Sequence, residues 1–463
     1  MDSTTSFTQQ PRLEQPPGLE DLDPSLIEHT RLRERSFSVS PASQLCLGAN
    51  AGLSEKRDPV TRWDRWVTEA SRRVLNFTPS WFSVNMGTGI TSILLYTLPY
   101  QFNGLKTIAT IIFFLNVILF LLFLIMSILR YTIWPSVLRK MLYHPQQSLF
   151  LGTFPMAFAT IVNMVAFLAL DPSNGIRTPG FERFTWGMWW IDAAFSIIIG
   201  IGMLFVMFTA HDQHPQDVTG AWLLPPIANI VCSASGAIIA GFLDQRRATI
   251  TVIVSYILWG IGFGPTLLIK ALYFNRLAMY NVPANTVIVS SFIPLGPCGQ
   301  GAFAILRLSA VARTLCHRQA DMGGTSLYTS NEWRIFGSAV YAGTIPVALT
   351  IWGFGFVWLI IAIMSILNIR TRGETIPFNM GWWGFTFPIG VFTSATLQFG
   401  MELDSPAFKV LGTIFTVILV ILWLTVSIGT AIKAWNGVMS ASSWFSARLS
   451  TSSATVSLID PFT

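Results

Sequence analysis

Apolar residues gather into ten runs along this chain, at roughly 80–99, 107–129, 148–170, 186–209, 220–242, 249–272, 286–311, 336–367, 380–400 and 407–434. Each approaches the length of about 20 residues that a helix needs to cross a bilayer. The runs alternate between two kinds. Even-numbered runs are smooth, as in "TIATIIFFLNVILFLLFLIMSIL" at 107–129, and suit contact with lipid. Odd-numbered runs carry a proline followed by small and polar residues: "TPSWFSVNMGTG", "TFPMAFATIVNM", "LPPIANIVCSASG", "FIPLGPCGQGAFA" and "TFPIGVFTSATLQ". Pro79, Pro155, Pro226, Pro294 and Pro388 thus recur once per helical hairpin, the mark of an internal repeat.

Irregular backbone survives in a membrane only where protein surrounds it or where it lines a watery cavity. The repeat therefore predicts an all-α membrane protein of ten transmembrane helices in five hairpins. The proline-kinked helices form a ring about a central pore, and the smooth ones face outward. Close packing of helices through Gly, Ser and Thr is the alternative for the small residues.

The flanks differ from the core. Residues 1–58 are polar and Pro-rich and are expected to be a disordered cytoplasmic tail. They hold no apolar stretch of the kind found in a cleavable signal peptide. In 59–77, Trp63, Trp66, Val67, Ala70, Val74 and Phe77 recur at helical spacing among charges, which predicts an amphipathic interfacial helix. Residues 78–435 are expected to form one ten-helix membrane domain, and the Ser/Thr-rich end, 436–463, a flexible cytoplasmic tail.

Composition agrees with a lipid-embedded chain. Hydrophobic residues make up 52% and charged residues 11%, whereas soluble domains carry about 25% charged residues. The net charge of +6 does not point to nucleic acid. Lys56, Arg57, Arg62, Arg65, Arg72 and Arg73 cluster just before the first run, which predicts a cytoplasmic N-terminus. An even number of spans returns the C-terminus to the same side. Cys46, Cys232, Cys298 and Cys316 match no metal or redox spacing. There is no GxxxxGK[ST] motif, catalytic triad or metal-ligand pattern, so the chain reads as no enzyme and needs no cofactor or metal. His211 and His214 read as solvated loop residues.

The odd runs offer neutral polar groups to an ion passing along the pore: Asn85, Thr88, Asn163, Asn229, Ser233, Ser235, Gln300, Thr393 and Ser394. Such groups replace part of a hydration shell without trapping the ion. For each, a hydrogen bond between helices is the competing role. Asn85 and Gln300 both follow their proline by six residues, which suggests equal depth. Asp192 is an acid inside a smooth run and reads as a structural partner of an arginine such as Arg307, with proton coupling as the alternative. Phe387 directly precedes Pro388, as Phe154 precedes Pro155. A large apolar ring at such a break dewets a constriction, so both are gate candidates.

"RVLNFTPSWFSVNMGTG" (73–89), "AWLLPPIANIVCSASG" (221–236), "IVSYILWGIG" (253–262), "SSFIPLGPCGQGAFAI" (290–305) and "PFNMGWWGFTFPIGVFTSAT" (377–396) resemble the tellurite-resistance/dicarboxylate transporter family, in its fungal sulfite efflux branch. TehA-like proteins, yeast malate permeases and slow anion channels of plants belong to the same family. The resemblance covers about 73–435. It implies a quasi-five-fold arrangement of five hairpins around a pore in each protomer, a homotrimer, and a phenylalanine gate on the ninth helix. In "WWGFTFP" that position is Phe387. The implied activity is plasma-membrane export of sulfite or bisulfite, passive and driven by voltage. A proton-coupled malate permease is the alternative, and a basic side chain in the pore would favour it. The first 72 residues and the loop at 318–335 depart from the family pattern.

Overall fold

The structure, a computed structural model, describes residues 71–170, 174, 178–325 and 328–435. These belong to one compact unit, Thr68–Thr463. The expectations for 1–58, 59–70 and 436–463 lie outside the described residues. Residues 71–75 are helical.

Ten long α helices are present among the described residues: α1 Phe82–Thr97, α2 Leu105–Ile133, α3 Thr153–Ala169, α4 Pro179–Thr209, α5 Leu224–Ala240, α6 Gln245–Tyr280, α7 Leu295–Asp321, α8 Ser330–Thr371, α9 Trp383–Glu402 and α10 Pro406–Trp435. A short amphipathic helix, Pro135–Leu142, follows α2. Eight of the long helices are long and apolar enough to cross a membrane. The other two, α1 and α9, are rich in Gly, Ser and Thr. Protein surrounds them, so they need no apolar outer surface. Capping bounds some helices sharply. Thr329 and Glu332 form a reciprocal box at the start of α8. The link expected at 318–335 is shorter, because α7 runs to Asp321 and α8 starts at Ser330.

The five odd helices pack in sequence: α1 on α3, α3 on α5, α5 on α7, α7 on α9, and α9 back on α1. The even helices lie outside these contacts. α2 rests on α1, α4 on α5 and α3, α6 on α5 and α7, α8 on α7, and α10 on α9 and α1. Burial follows this division. Apolar windows of the even helices are 28–33% buried, against 72–100% for α3, α5 and α7 with their lead-ins. Every residue of α5 is buried, including Asn229, Ser233 and Ser235.

Two sequence expectations need correction. The even helices are not free of breakers: Pro265 lies inside α6 and Pro346 inside α8. Nor do most repeat prolines kink a helix. Each odd helix is preceded by a short 3-10 segment: Pro79–Trp81, Ser148–Gly152, Gly220–Leu223, Ile288–Phe292 and Met380–Trp382. Pro79 lies in such a segment, Pro155 and Pro226 lie in the first turn of α3 and α5, and Pro294 is the N-cap of α7. Only Pro388 is interior. At a helix start, proline gives up an N–H that would be unsatisfied anyway and sets φ for the first turn.

Glycines bring the odd helices together. A Cβ on Gly152 would meet the Leu224 backbone at 2.5 Å, and one on Gly299 the Phe392 backbone at 2.5 Å. Gly89 meets Thr160, Gly220 meets the Ser290 carbonyl, and Gly390 meets Ile90, so each of the five contacts between odd helices has a glycine. For these positions the close-packing reading holds.

The chain ends of the helical unit share one face. Near the end of α10, Lys433 Nζ donates to the Phe378 carbonyl at 2.7 Å, just ahead of α9. Starts of α1 and α9 line the same cavity, described next.

Candidate functional site

A cavity of about 510 Å³ is lined by the starts of all five odd helices and by loop residues that include His144, Asp212 and Asp217. Its wall repeats with a three-residue step. The stripes are Ser80, Ser83 and Met86; Phe150, Thr153 and Met156; Ala221, Leu224 and Ile227; Ser290, Ile293 and Gly296; and Gly381, Gly384 and Phe387. Residues three apart lie on one face of a helix. Five equivalent faces therefore look into one space. Its deepest level is apolar, formed by Met86, Met156, Ile227, Gly296 and Phe387. The Phe387 ring is only 4% exposed. It stands opposite no side chain on α7, because position 296 is glycine.

First-turn N–H groups of the odd helices lie along this cavity. The positive ends of helix dipoles favour anions.

The stripes set the phase of each odd helix, and helical period carries that phase deeper. Asn163 and Ser394 lie seven residues beyond Met156 and Phe387, and Gln300 lies four beyond Gly296, so these three share the cavity-facing side. Asn163 and Gln300 are buried, and Ser394 is half-buried. Five other sequence candidates face elsewhere. Asn85 Nδ2 donates to Asn116 of α2 at 3.0 Å. Thr88 accepts from the Trp423 indole of α10 at 3.1 Å. Ser233 donates to the Ser255 carbonyl of α6 at 2.7 Å. Asn229 lies against Gly200 of α4. Thr393 donates to Ile389 within α9, off the cavity phase. The expected equal depth of Asn85 and Gln300 does not hold, since Asn85 precedes the floor residue Met86 by one position whereas Gln300 lies four beyond Gly296.

Phe154 is not part of the cavity wall. Its ring packs edge-on against Phe82 at 5.2 Å and Phe195 at 5.3 Å, and stacks on Phe120 at 5.8 Å. It wedges α3 against α1, α2 and α4. Met156, two residues on, holds the position that corresponds to Phe387.

Charged groups inside the helical unit fall differently from expectation. Asp192 is fully buried and faces Cys232 of α5. The expected Asp192–Arg307 pair does not form, because Arg307 lies beside Glu402 and Gly241 instead. Lys270 of α6 is also enclosed, with its Nζ 2.8 Å from Cys298 Sγ and over the Phe354 ring at 5.2 Å. Sequence reading passed over Lys270, though a lysine inside the apolar run 249–272 was the signal. Arg307 lies eleven residues beyond Gly296, about three turns on the same side, and is a basic group on the inner face. In the link between α9 and α10, a hydrogen bond from Lys409 at 2.5 Å holds the Asp404 carboxyl below the usual carboxylate range.

Eight helices long and apolar enough to cross a membrane, around an internal cavity with an apolar floor, are the architecture of a multi-span channel or transporter. The chain belongs to the voltage-dependent anion channel family (SLAC1), which it matches over residues 76–431. It is 42% identical over 383 residues to the sulfite efflux pump of Arthroderma benhamiae, covering 82% of this chain and 96% of that one. The sulfite efflux pump of Trichophyton rubrum is similar to the same extent, 42% over 383 residues. The malic acid transport protein of Schizosaccharomyces pombe is 28% identical over 361 residues, covering 76% of this chain and 77% of that one. The family resemblance read from the sequence is borne out.

Proposed function

We propose that this chain exports sulfite or bisulfite across the plasma membrane through one pore per protomer, closed at rest by Phe387. In this reading ten helices cross the bilayer in a quasi-five-fold arrangement, with the five odd helices around the pore axis. The carrying observation is the cavity whose wall is built from equivalent faces of five helices and whose floor contains Phe387. Dipole ends gather the anion, neutral Asn163, Gln300 and Ser394 replace part of its water, and an apolar floor excludes hydrated ions while closed. Similarity to the sulfite efflux pumps names the cargo.

Export of an anion from a cell with a negative interior is downhill by about 2.3 kcal/mol per charge per 100 mV. A gated passive pore therefore suffices. The cavity opens toward the cytoplasm, because it shares a face with the start of α1, which follows the basic cluster at 56–73. The assembly is a homotrimer, as the family resemblance implies, which light scattering of detergent-solubilised protein tests.

The experiment for transport uses purified protein in liposomes. Sulfite flux follows the imposed potential and persists when the proton gradient is collapsed at constant voltage. Flux that vanishes with the proton gradient overturns the passive reading. A proton-coupled dicarboxylate permease has one observation in its favour, the basic Arg307 on the inner face. Malate flux exceeding sulfite flux in the same liposomes would establish it instead.

A further inference from the structure

A second cavity, of about 280 Å³, lies at the opposite ends of the odd helices. It is lined by Ala240 and Gly241 at the end of α5, by Arg307, Arg313 and Arg318 of α7, and by Glu402 at the end of α9. α5 and α9 flank α7 on its two sides, while α6 and α8 cover its outer surface. A cavity touching α5, α7 and α9, with no residue of α6 or α8 in its wall, opens on the inner side of the ring. In the transport reading it is the far mouth of the pathway, and Arg307 lies about 16 Å along α7 from the Gly296 level, at 1.5 Å per residue.

The three arginines are not equivalent. Arg313 stacks on the Tyr341 ring at 4.1 Å. Arg318 is exposed at the rim. Arg307 is half-buried and makes no hydrogen bond to protein among the described residues. Glu402 is the acid beside it, yet both Glu402 oxygens are taken by other donors. Tyr341 Oη donates to one at 2.6 Å and Gln398 Nε2 to the other at 2.7 Å. A guanidinium with five donors is thus left facing an open cavity. The end of α5 lies directly beside it, since a Cβ on Gly241 would stand in ordinary contact with Arg307 Nη2, at 3.7 Å.

The position also answers an electrostatic problem. Parallel odd helices turn their partial negative C-termini toward this mouth. An anion that has passed Phe387 meets that field on its way out. Arg307 sits where α5 and α9 end, so it offsets the repulsion at the point where the anion needs it.

We propose that Arg307 is an anion-binding group of the far mouth, a guanidinium that holds a small oxyanion of the sulfite type between the constriction and the solvent, with Glu402 tempering its grip so that the anion leaves. This deepens the transport reading and rests on it for the cargo, though not for the site. Guanidinium pairs two oxyanion oxygens in its planar fork, which an ammonium does not.

The test has a binding and a transport arm, on full-length purified protein. In detergent, sulfite and sulfate each raise the melting temperature of the parent in a concentration-dependent way, as a ligand of the folded state must. In Arg307→Gln the apparent dissociation constant rises about tenfold, equivalent to about 1.4 kcal/mol. Arg307→Lys falls between. Glu402→Gln, which keeps the arginine, binds more tightly and releases more slowly. In liposomes the half-saturating sulfite concentration follows the same order. An arginine that only caps helix ends gives a different result: Arg307→Gln lowers the melting temperature without anion, yet the anion-dependent increment stays equal to the parent's. That outcome, or a parent with no anion-dependent increment, overturns the proposal. If the parent binds sulfite through Arg307 but carries none in liposomes, the transport reading fails while the site stands. If it carries sulfite with Arg307→Gln unchanged, the site fails and the transport reading stands.

Discussion

Asn85 of α1 donates to the side-chain and backbone oxygens of Asn116 of α2, each at 3.0 Å, and Asn116 donates in turn to Thr160 of α3 at 3.2 Å. One outer residue thereby ties two neighbouring inner helices. In a bilayer, apolar faces have no hydrophobic reason to leave lipid for one another, so interhelical hydrogen bonds and close packing carry the association. Thr88 with Trp423, Ser233 with Ser255, and Thr396 with Trp352 repeat the device around the unit.

Asn116→Leu keeps the branched shape but removes the side-chain clamp: the Asn85 amide keeps only the backbone carbonyl of residue 116, and Thr160 loses its donor from α2. The expected cost is about 1–3 kcal/mol, seen as a lower melting temperature of the detergent-solubilised protein. A variant as stable as the parent would show that the clamp contributes nothing.

Phe387→Ala and Phe154→Ala separate gate from packing. Removing the Phe387 ring widens the cavity floor and raises basal anion current at equal protein density. Phe154→Ala leaves the current per molecule unchanged and lowers stability, by up to about 3–5 kcal/mol for a large-to-small change among aromatic neighbours. Single-channel or normalised flux measurements on both variants check this, and a Phe387→Ala current at or below the parent's rejects it as the gate.

Gly296 and Gly299 predict opposite outcomes one turn apart. A Cβ on Gly296 finds its nearest neighbour at 3.8 Å, whereas one on Gly299 meets the Phe392 backbone at 2.5 Å. Gly296→Ala folds with near-parent stability, and Gly296→Leu narrows the floor opposite Phe387 and cuts current. Gly299→Ala forces α7 and α9 apart and reduces the yield of folded protein. Melting curves and flux, taken together, distinguish lost folding from a blocked path.

Lys270 and Cys298 form an enclosed pair behind the cavity wall, 2.8 Å apart. Cys298→Ala leaves a buried ammonium without its partner and destabilises by about 1–3 kcal/mol. Adding Lys270→Met to that variant restores stability, since replacing a buried polar pair by apolar groups of similar shape is often neutral. Melting temperatures of the two single variants and the double variant form the cycle; a double variant no better than Cys298→Ala sinks it.

The sequence by itself determined the class of protein, the ten helices and their division into two kinds. Lipid demands continuous apolar surface, so runs such as 107–129 announce outer helices. Runs that combine breakers with small and polar residues must be enclosed by protein, so α1 and α9 were legible as inner helices even though they are the two that fall short of the criteria for a span. The family was also legible, from motifs around "WWGFTFP", and Phe387 of that motif lies in the cavity floor. Tertiary structure decided which side of each inner helix faces the cavity. Proline did not reveal it. The equivalent floor residue follows Pro79 by seven positions at Met86, follows Pro155 by one at Met156, and precedes Pro388 by one at Phe387. Proline tolerates any place near a helix start, whereas helix phase is set by neighbours, one residue turning the face by about 100°. That rotation sent Asn85, Thr88 and Ser233 to outer helices, put Asn163, Gln300 and Ser394 on the inner face, and moved the aromatic role expected of Phe154 from gating to packing. Arg307 became visible for the same reason: the packing of α5 and α9 against α7 put its guanidinium, eleven residues past Gly296, in the wall of the second cavity.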